Sequence, residues 1–407
     1  MSSFKWHRPS GLCFIATVLS LPATAQTLTL DSLERMALTT NPAIAQAAAD
    51  TRAAAARARQ SSLYPNPTVG VSGAGSSEWG GFAEQRILTA GKRGLDRSIA
   101  ETDRTAAAAM EQTARQRVLN TVRALYYQAL GDQQLVKLRT DMLALARKTA
   151  AISSELGNIG QLDRPDQIAA TIEAQRAELN LRMAENARAR TWRQLAIAVN
   201  QPQLTPAPLQ GDLEKPPQLP ETLEADTLSQ NPQLHAAEIL GSRATLATKR
   251  AEVEKIPDLM LRAGARYNRD LDLKNGVPTP SGTEALVELS IQIPIFNRNQ
   301  GAVEAAKAEA ERSTLEAARV KLMLRAHWAG VFKEYRDAMQ AATAYRDQMI
   351  PGAQQAYDLN LASFKQMAAT YPSVLMSQKN LFQLQEDYIT SLVRAWQSAV
   401  ELQGLLL

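Results

Sequence analysis

The sequence has little of what a disulfide scaffold, a metalloenzyme or a helical membrane protein requires. Its 407 residues include one cysteine, Cys13, which sits in the apolar N-terminal run. Removal of that run leaves no thiol, which excludes disulfides, thiolate metal sites and a cysteine nucleophile. Of three histidines only His235 and His327 lie beyond the leader, and neither has a second ligand at metal spacing. There is no Walker-type phosphate loop and no catalytic serine motif. No apolar stretch reaches the ~20 residues that a membrane-spanning helix needs. Basic and acidic residues number 45 and 41, so there is no electrostatic case for a nucleic-acid partner. Glycine and proline number 20 and 19, and aromatics are 5% of the chain, so turns are few.

What is abundant is alanine, in runs such as 53–56 and 106–109, with arginine, glutamate, glutamine and leucine. That composition predicts a mostly helical chain. The first 25 residues read as a secretory signal: Lys5, His7 and Arg8, then an apolar run over 11–21, then Ala23-Thr24-Ala25. Cleavage is expected near Ala25. The residues before Cys13, Ser10-Gly11-Leu12, do not form a lipoprotein cleavage box, so lipidation is not expected.

An internal repeat organises the remainder. Asn41-Pro42 recurs as Asn231-Pro232, each after a leucine pair, Leu33/Leu38 and Leu223/Leu228. Each opens an Ala/Arg-rich helical stretch that ends at Pro65 or Pro257. Further on, Pro165 and Ile168 face Pro372 and Leu375. We read a first repeat over 26–200, a proline-rich joint over 201–220 and a second repeat over 221–407. Period-2 alternation predicts strands at about 67–88 and 259–293. Long helices with heptad spacing fill the rest: Leu135 to Leu156, Leu324 through Ala342, Tyr345 and Met349, and Leu381 to Ala395. Paired helices break at matched tip turns, 157–165 and 364–372. Pro351 should kink or break its helix. His327, beside Trp328 on a heptad seam, is expected to be packed, and His235 to lie on the surface.

Strands with one apolar and one polar face, in an exported chain without a membrane helix, fit an outer-membrane β-barrel. They also fit an amphipathic sheet packed on helices. Four strands cannot close a barrel in lipid, because open edges there leave unpaired backbone groups. In the barrel reading, Arg262, Arg266, Glu288 and Gln292 face a wet lumen while Leu261, Tyr267, Leu289 and Ile291 face lipid.

Several stretches carry a family resemblance. Residues 30–33 through Asn41-Pro42 resemble the opening helix of the outer-membrane efflux proteins, the TolC-like channels. Ile87-Leu88-Thr89-Ala90-Gly91-Lys92-Arg93 resembles their strand-to-helix junction, and residues 294–301 resemble its second copy. The junctions are most similar to those of the cobalt–zinc–cadmium branch. The resemblance implies a mainly α fold with four antiparallel strands per chain. It implies a homotrimer, with a 12-stranded barrel in outer-membrane lipid on a periplasmic α-helical tunnel. It implies a passive exit duct for heavy-metal cations, with no cofactor and no enzyme activity. The implied partners are a periplasmic membrane-fusion adaptor and an inner-membrane transporter of the RND type. Family channels narrow at an acidic tip in the second copy; Ser373 and Met376 stand there, so that feature is absent. The counterpart candidates are Asp163 and Asp166, whose alternative role is to cap a helix. The adaptor is expected to dock at the turns carrying Gly157, Gly160, Met367 and Ala368. Competing readings are an organic-solute duct, a soluble periplasmic coiled-coil scaffold and, least supported, a metallohydrolase.

Overall fold

The structure, a computed structural model, describes residues 28–407 except 75–77, 275, 276, 367 and 406. The expected signal segment and Met367 lie outside the described residues.

Two similar halves follow one another. The first runs α1 (Leu30–Thr40), α2 (Pro42–Ser61), β1 (Thr68–Ala74), β2 (Glu78–Ile87), α3 (Lys92–Asn158) and α4 (Arg164–Ala198). The second runs α5 (Leu223–Ser229), α6 (Pro232–Val253), β3 (Leu259–Lys274), β4 (Val277–Ile291), α7 (Gln300–Ala344), α8 (Ile350–Lys365) and α9 (Tyr371–Gln403). Helix α3 has 67 residues, about 100 Å at 1.5 Å per residue.

The repeated Asn-Pro has one job in both halves. Asn41 Oδ1 accepts from the Ala43 N–H at 2.9 Å, and Asn231 Oδ1 accepts from Gln233 and Leu234 at 2.9 and 3.1 Å. Each thereby caps a helix whose first residue is proline, the position where a missing N–H costs nothing. Each amide also donates to the end of the last helix region of its half: Asn41 Nδ2 to Ala198 O at 2.9 Å, Asn231 Nδ2 to Leu405 O at 2.6 Å. The motif closes each half on itself. The halves are then tied by α6 on α3, with Arg243 to Asp103 at 2.5 Å and Arg250 to Asp96 at 2.7 Å.

The cores sit beside these clasps. In the first half Leu33, Val122, Leu195, Val199 and Leu213 are fully enclosed. In the second, Leu324, Trp328, Val331, Phe332 and Tyr335 pack on Leu402 and Ala399. The Tyr126 hydroxyl donates to Gln210 O and the Tyr335 hydroxyl to Pro217 O, so each half's tyrosine pins the joint at one end.

Two heptad expectations need correction. The leucine stripe of α3 is not its contact with α4: there Leu143 and Ala146 meet Ala177, while Leu145 packs toward α8 and α9. Ala146, Ala174 and Ala177 share the α3–α4 seam with Leu143 and Leu181, so the leucine stripe alone does not mark it. In the second half the helix passes through a π turn at Tyr345–Met349 just before Pro351. Proline has no N–H and crowds the preceding turn, and one wide i→i+5 turn relieves both. The turn adds one residue, so Ile350 joins the packed cluster and Met349 is exposed. His327 is not packed either: it is half-exposed, and its Nε2 lies 2.7 Å from Glu401 Oε1.

The strands form one antiparallel sheet in the order β1-β2-β3-β4. Both outer edges, on β1 and β4, are open among the described residues. Gly80 and Gly81 of β2 run beside Ala265 and Arg266 of β3 so closely that a Cβ at Gly80 would strike the β3 backbone.

Candidate membrane and channel surfaces

Register decides which side chains share a face. Val69 pairs with Ala83, Ala83 with Ala263 and Ala263 with Val287; Leu261 pairs with Leu289, and Leu259 with Ile291. Alternation then puts Val71, Trp79, Ala265 and Tyr267 on that same face. In these rows only Gln85 and Thr283 interrupt an apolar surface. Among the described residues no other part of the chain covers it: Val71 is 90% exposed and Leu289 65%.

From the base of the sheet up to the register shift at Asn268, the opposite face holds every charge of the paired rows. Glu84, Arg262 and Glu288 form one row, and Arg266 and Glu284 lie in another. The Arg266 guanidinium reaches Glu284 Oε2 at 2.9 Å and Glu78 Oε2 at 3.5 Å. Arg262 lies over the Phe82 ring, 3.7 Å from its centroid. Arg262, Arg266 and Glu288 therefore share one side of the sheet.

At the base of the sheet, Asp258 gathers the chain. Lys92 Nζ is 2.9 Å from Asp258 Oδ1, Arg86 is 2.6 Å from Oδ2, and the Thr89 N–H donates at 3.1 Å. Lys92 is only 2% exposed. Burial by itself would raise the Asp258 carboxyl, but the hydrogen bonds from Lys92, Thr89 and Arg86 hold it at about 2. The cluster fixes the turn from β2 into α3, where Ala90 and Gly91 take positive φ. Sequence reading missed it, because its two halves are 166 residues apart.

The tip turns lie at the other end of the long helices. The first is tight: Gly160 takes φ +75°, and Gly157 packs against the Gln167 side chain. Asp163 occupies the cap position of α4, yet its side chain makes no capping hydrogen bond. Asp166 is in the first turn of α4, where the helix dipole favours an acid. In the second turn the Ala368 N–H donates to Ser363 O at 2.8 Å. Ser373 Oγ lies 3.1 Å from Thr370 Oγ1, and Met376 points into solvent. The two tips are neighbours. The buried Tyr371 phenol of α9 is pushed up to about 12 by burial, and by the carboxylates of Glu173 and Asp166 on α4. Lys379 of α9 joins Glu173 at 2.7 Å.

Among the described residues no helix is long and apolar enough to cross a membrane, and no cluster of three acidic, histidine or cysteine side chains is placed to hold a metal.

Residues 223–406 match the family model described as "Outer membrane efflux protein". The chain is 26% identical over 391 residues to the cobalt-zinc-cadmium resistance protein CzcC of Cupriavidus metallidurans, covering 93% of this chain and 90% of that protein. Its fold is similar to CusC, with TM-score 0.82, 16% identity and coverage of 99% and 98% of the two chains. It is also similar to the outer membrane protein VceC of Vibrio cholerae, with TM-score 0.77, 16% identity and coverage of 93% and 96%. The family match over the second half, the relative spanning both halves and the shared fold agree: the chain is similar to the outer membrane efflux proteins in sequence and fold.

Proposed function

We propose that this chain is the outer-membrane duct of a tripartite pump that exports heavy-metal cations, working as a homotrimer. The observation that carries the reading is the sheet. Up to the register shift at Asn268, one face is apolar and bare and the other carries the charge, and both edges are open among the described residues. Burying the apolar face in lipid removes it from water, but the edges of β1 and β4 then need partners. Three copies supply them by joining β4 of one to β1 of the next, giving twelve strands with Arg262, Arg266 and Glu288 facing the lumen. The helices call for the same neighbours: Ile168, Ile172, Leu179 and Met183 form an exposed apolar stripe on α4.

The duct is passive, and energy enters through an inner-membrane transporter. A periplasmic adaptor docks at the tip turns, at Gly157, Gly160 and the Met367-Ala368 segment. Metal cations are favoured over organic solutes by the relationship to CzcC. The lumen face supports cations too, with four glutamates, Glu78, Glu84, Glu284 and Glu288, against Arg86, Arg262 and Arg266. The test is assembly and resistance together. The purified protein should be trimeric by mass photometry, and its deletion should sensitise cells to cobalt, zinc or cadmium. A stable membrane-inserted monomer would refute the duct; sensitivity to dyes but not metals would refute the metal assignment.

A further inference from the structure

Three of the four crossings between helix and strand at the base of the sheet carry a large exposed apolar side chain. Leu63 and Tyr64 lie between α2 and β1, Ile256 between α6 and β3, and Ile295 and Phe296 between β4 and α7. Phe296 is 94% exposed. A cation accompanies them at three crossings. The Arg93 guanidinium stacks 3.8 Å from the centre of the Tyr64 ring. Lys255 and Arg298 are exposed and make no ion pair among the described residues. The nearby acids are already engaged, Asp258 by Lys92 and Arg86, and Glu254 by Arg250.

Geometry says what this collar meets. The far end of the apolar face is marked by Trp79 and Tyr267, whose rings are 6.3 Å apart. From Trp79 to Ile87 the strand covers about 26 Å at ~3.3 Å per residue. Tilted by about 40°, that gives roughly 20 Å of height, less than the ~25 Å apolar band of a membrane barrel. The missing few ångströms lie at the base, where Tyr64 and Phe296 stand. Aromatic side chains are favoured at headgroup depth, and arginine and lysine there meet phosphate.

We propose that the Tyr64–Phe296 collar seats in the periplasm-facing leaflet, with Arg93, Lys255 and Arg298 holding the phosphates of anionic phospholipid. This rests on the barrel reading above and adds a lipid-binding site to it. The Tyr64 ring occupies the face of Arg93 and one terminal nitrogen donates to Ser62 O at 3.4 Å, which leaves its other N–H groups to donate to phosphate, and Phe296 gains a membrane in place of water.

The test uses the full trimer in vesicles, with Phe296→Trp as reporter and acyl chains brominated near the headgroup. The reporter's emission should be blue-shifted. Brominated phosphatidylglycerol should quench it at least twofold more than brominated phosphatidylcholine at equal mole fraction. Lys255→Gln with Arg298→Gln should abolish that preference. A reporter open to aqueous iodide and indifferent to brominated lipid overturns the collar, as does one shielded from both, which places a second copy over Phe296. Equal quenching by the two lipids overturns the phosphate assignment. Native Trp79 separates the two readings. Trp79 quenched by brominated lipid beside an unquenched reporter removes the collar and keeps the barrel; Trp79 unquenched removes the barrel as well.

Discussion

Lys92, at the first turn of α3, and Asp258, just before β3, meet at 2.9 Å although they belong to different halves of the chain. With Lys92 almost wholly enclosed, the pair is unequal in what its loss would do. Asp258→Asn leaves a buried ammonium with only Glu254 nearby, at 3.8 Å, and should cost about 3 kcal/mol. Lys92→Met removes the charge but keeps the stem, and Asp258 retains Arg86 and Thr89, so the loss should be smaller. Denaturant unfolding in detergent measures both, and equal losses would contradict the arrangement.

The same cluster sets an acid limit. The Asp258 carboxyl is held at about 2 against an ordinary 3.8, so its depressed value stabilises the fold fully above about pH 4. That contribution, about 2 kcal/mol, is lost as pH falls through about 2. Asp258→Asn should flatten the pH dependence of stability in that window, and an unchanged slope would count against the assignment.

Opposite faces of β4 should respond oppositely to charge. Leu289 lies on the bare apolar face, and Leu289→Arg near mid-bilayer should cost roughly 2–4 kcal/mol and impair insertion. Glu288→Arg, on the charged face, should insert normally. Membrane fractionation and heat-modifiability on gels report the difference; equal damage would mean that this strand is not in the wall.

The Asn-Pro clasps should be matched but not equal. Asn231 is 1% exposed and Asn41 only partly covered, so Asn231→Ala should cost about 2 kcal/mol and Asn41→Ala about 1. Thermal unfolding of each variant checks the order.

At the tips, Asp163→Asn with Asp166→Asn should reduce cation selectivity and its pH dependence in planar bilayers if these acids line the constriction. Unchanged selectivity would leave Asp166 as a helix-dipole residue beside Tyr371. Bulky labels on cysteines introduced in both turns should block adaptor cross-linking, a clean experiment because the expected mature chain has no cysteine of its own.

Much of this was legible because it is periodic or duplicated. Alternation in β3 and β4 placed Leu261 and Leu289 opposite Arg262 and Glu288 before any coordinates, and the repeated Asn-Pro marked where each half begins. What escaped was either made of small residues or remote in sequence. Ala146 and Ala177 carry much of a seam that has only Leu143 and Leu181 to mark it, and Lys92 finds Asp258 only after the sheet has formed. The slip from Met349 to Ile350 escaped for a third reason: Pro351 announces a disturbance but not that a wide turn will absorb it. Ile350→Ala should therefore cost about 1–2 kcal/mol and Met349→Ala under about 0.5.

That wide turn makes the two arms of one chain mechanically different. The first arm leaves the sheet as an unbroken rod of 67 residues. The second is a rod with a joint at Tyr345–Met349, where the ladder of backbone bonds is loosest. In a ring of three copies, stiff and jointed arms would alternate. Bending at the tip would then be shared unevenly, with three compliant staves moving against three that hold the tube's diameter.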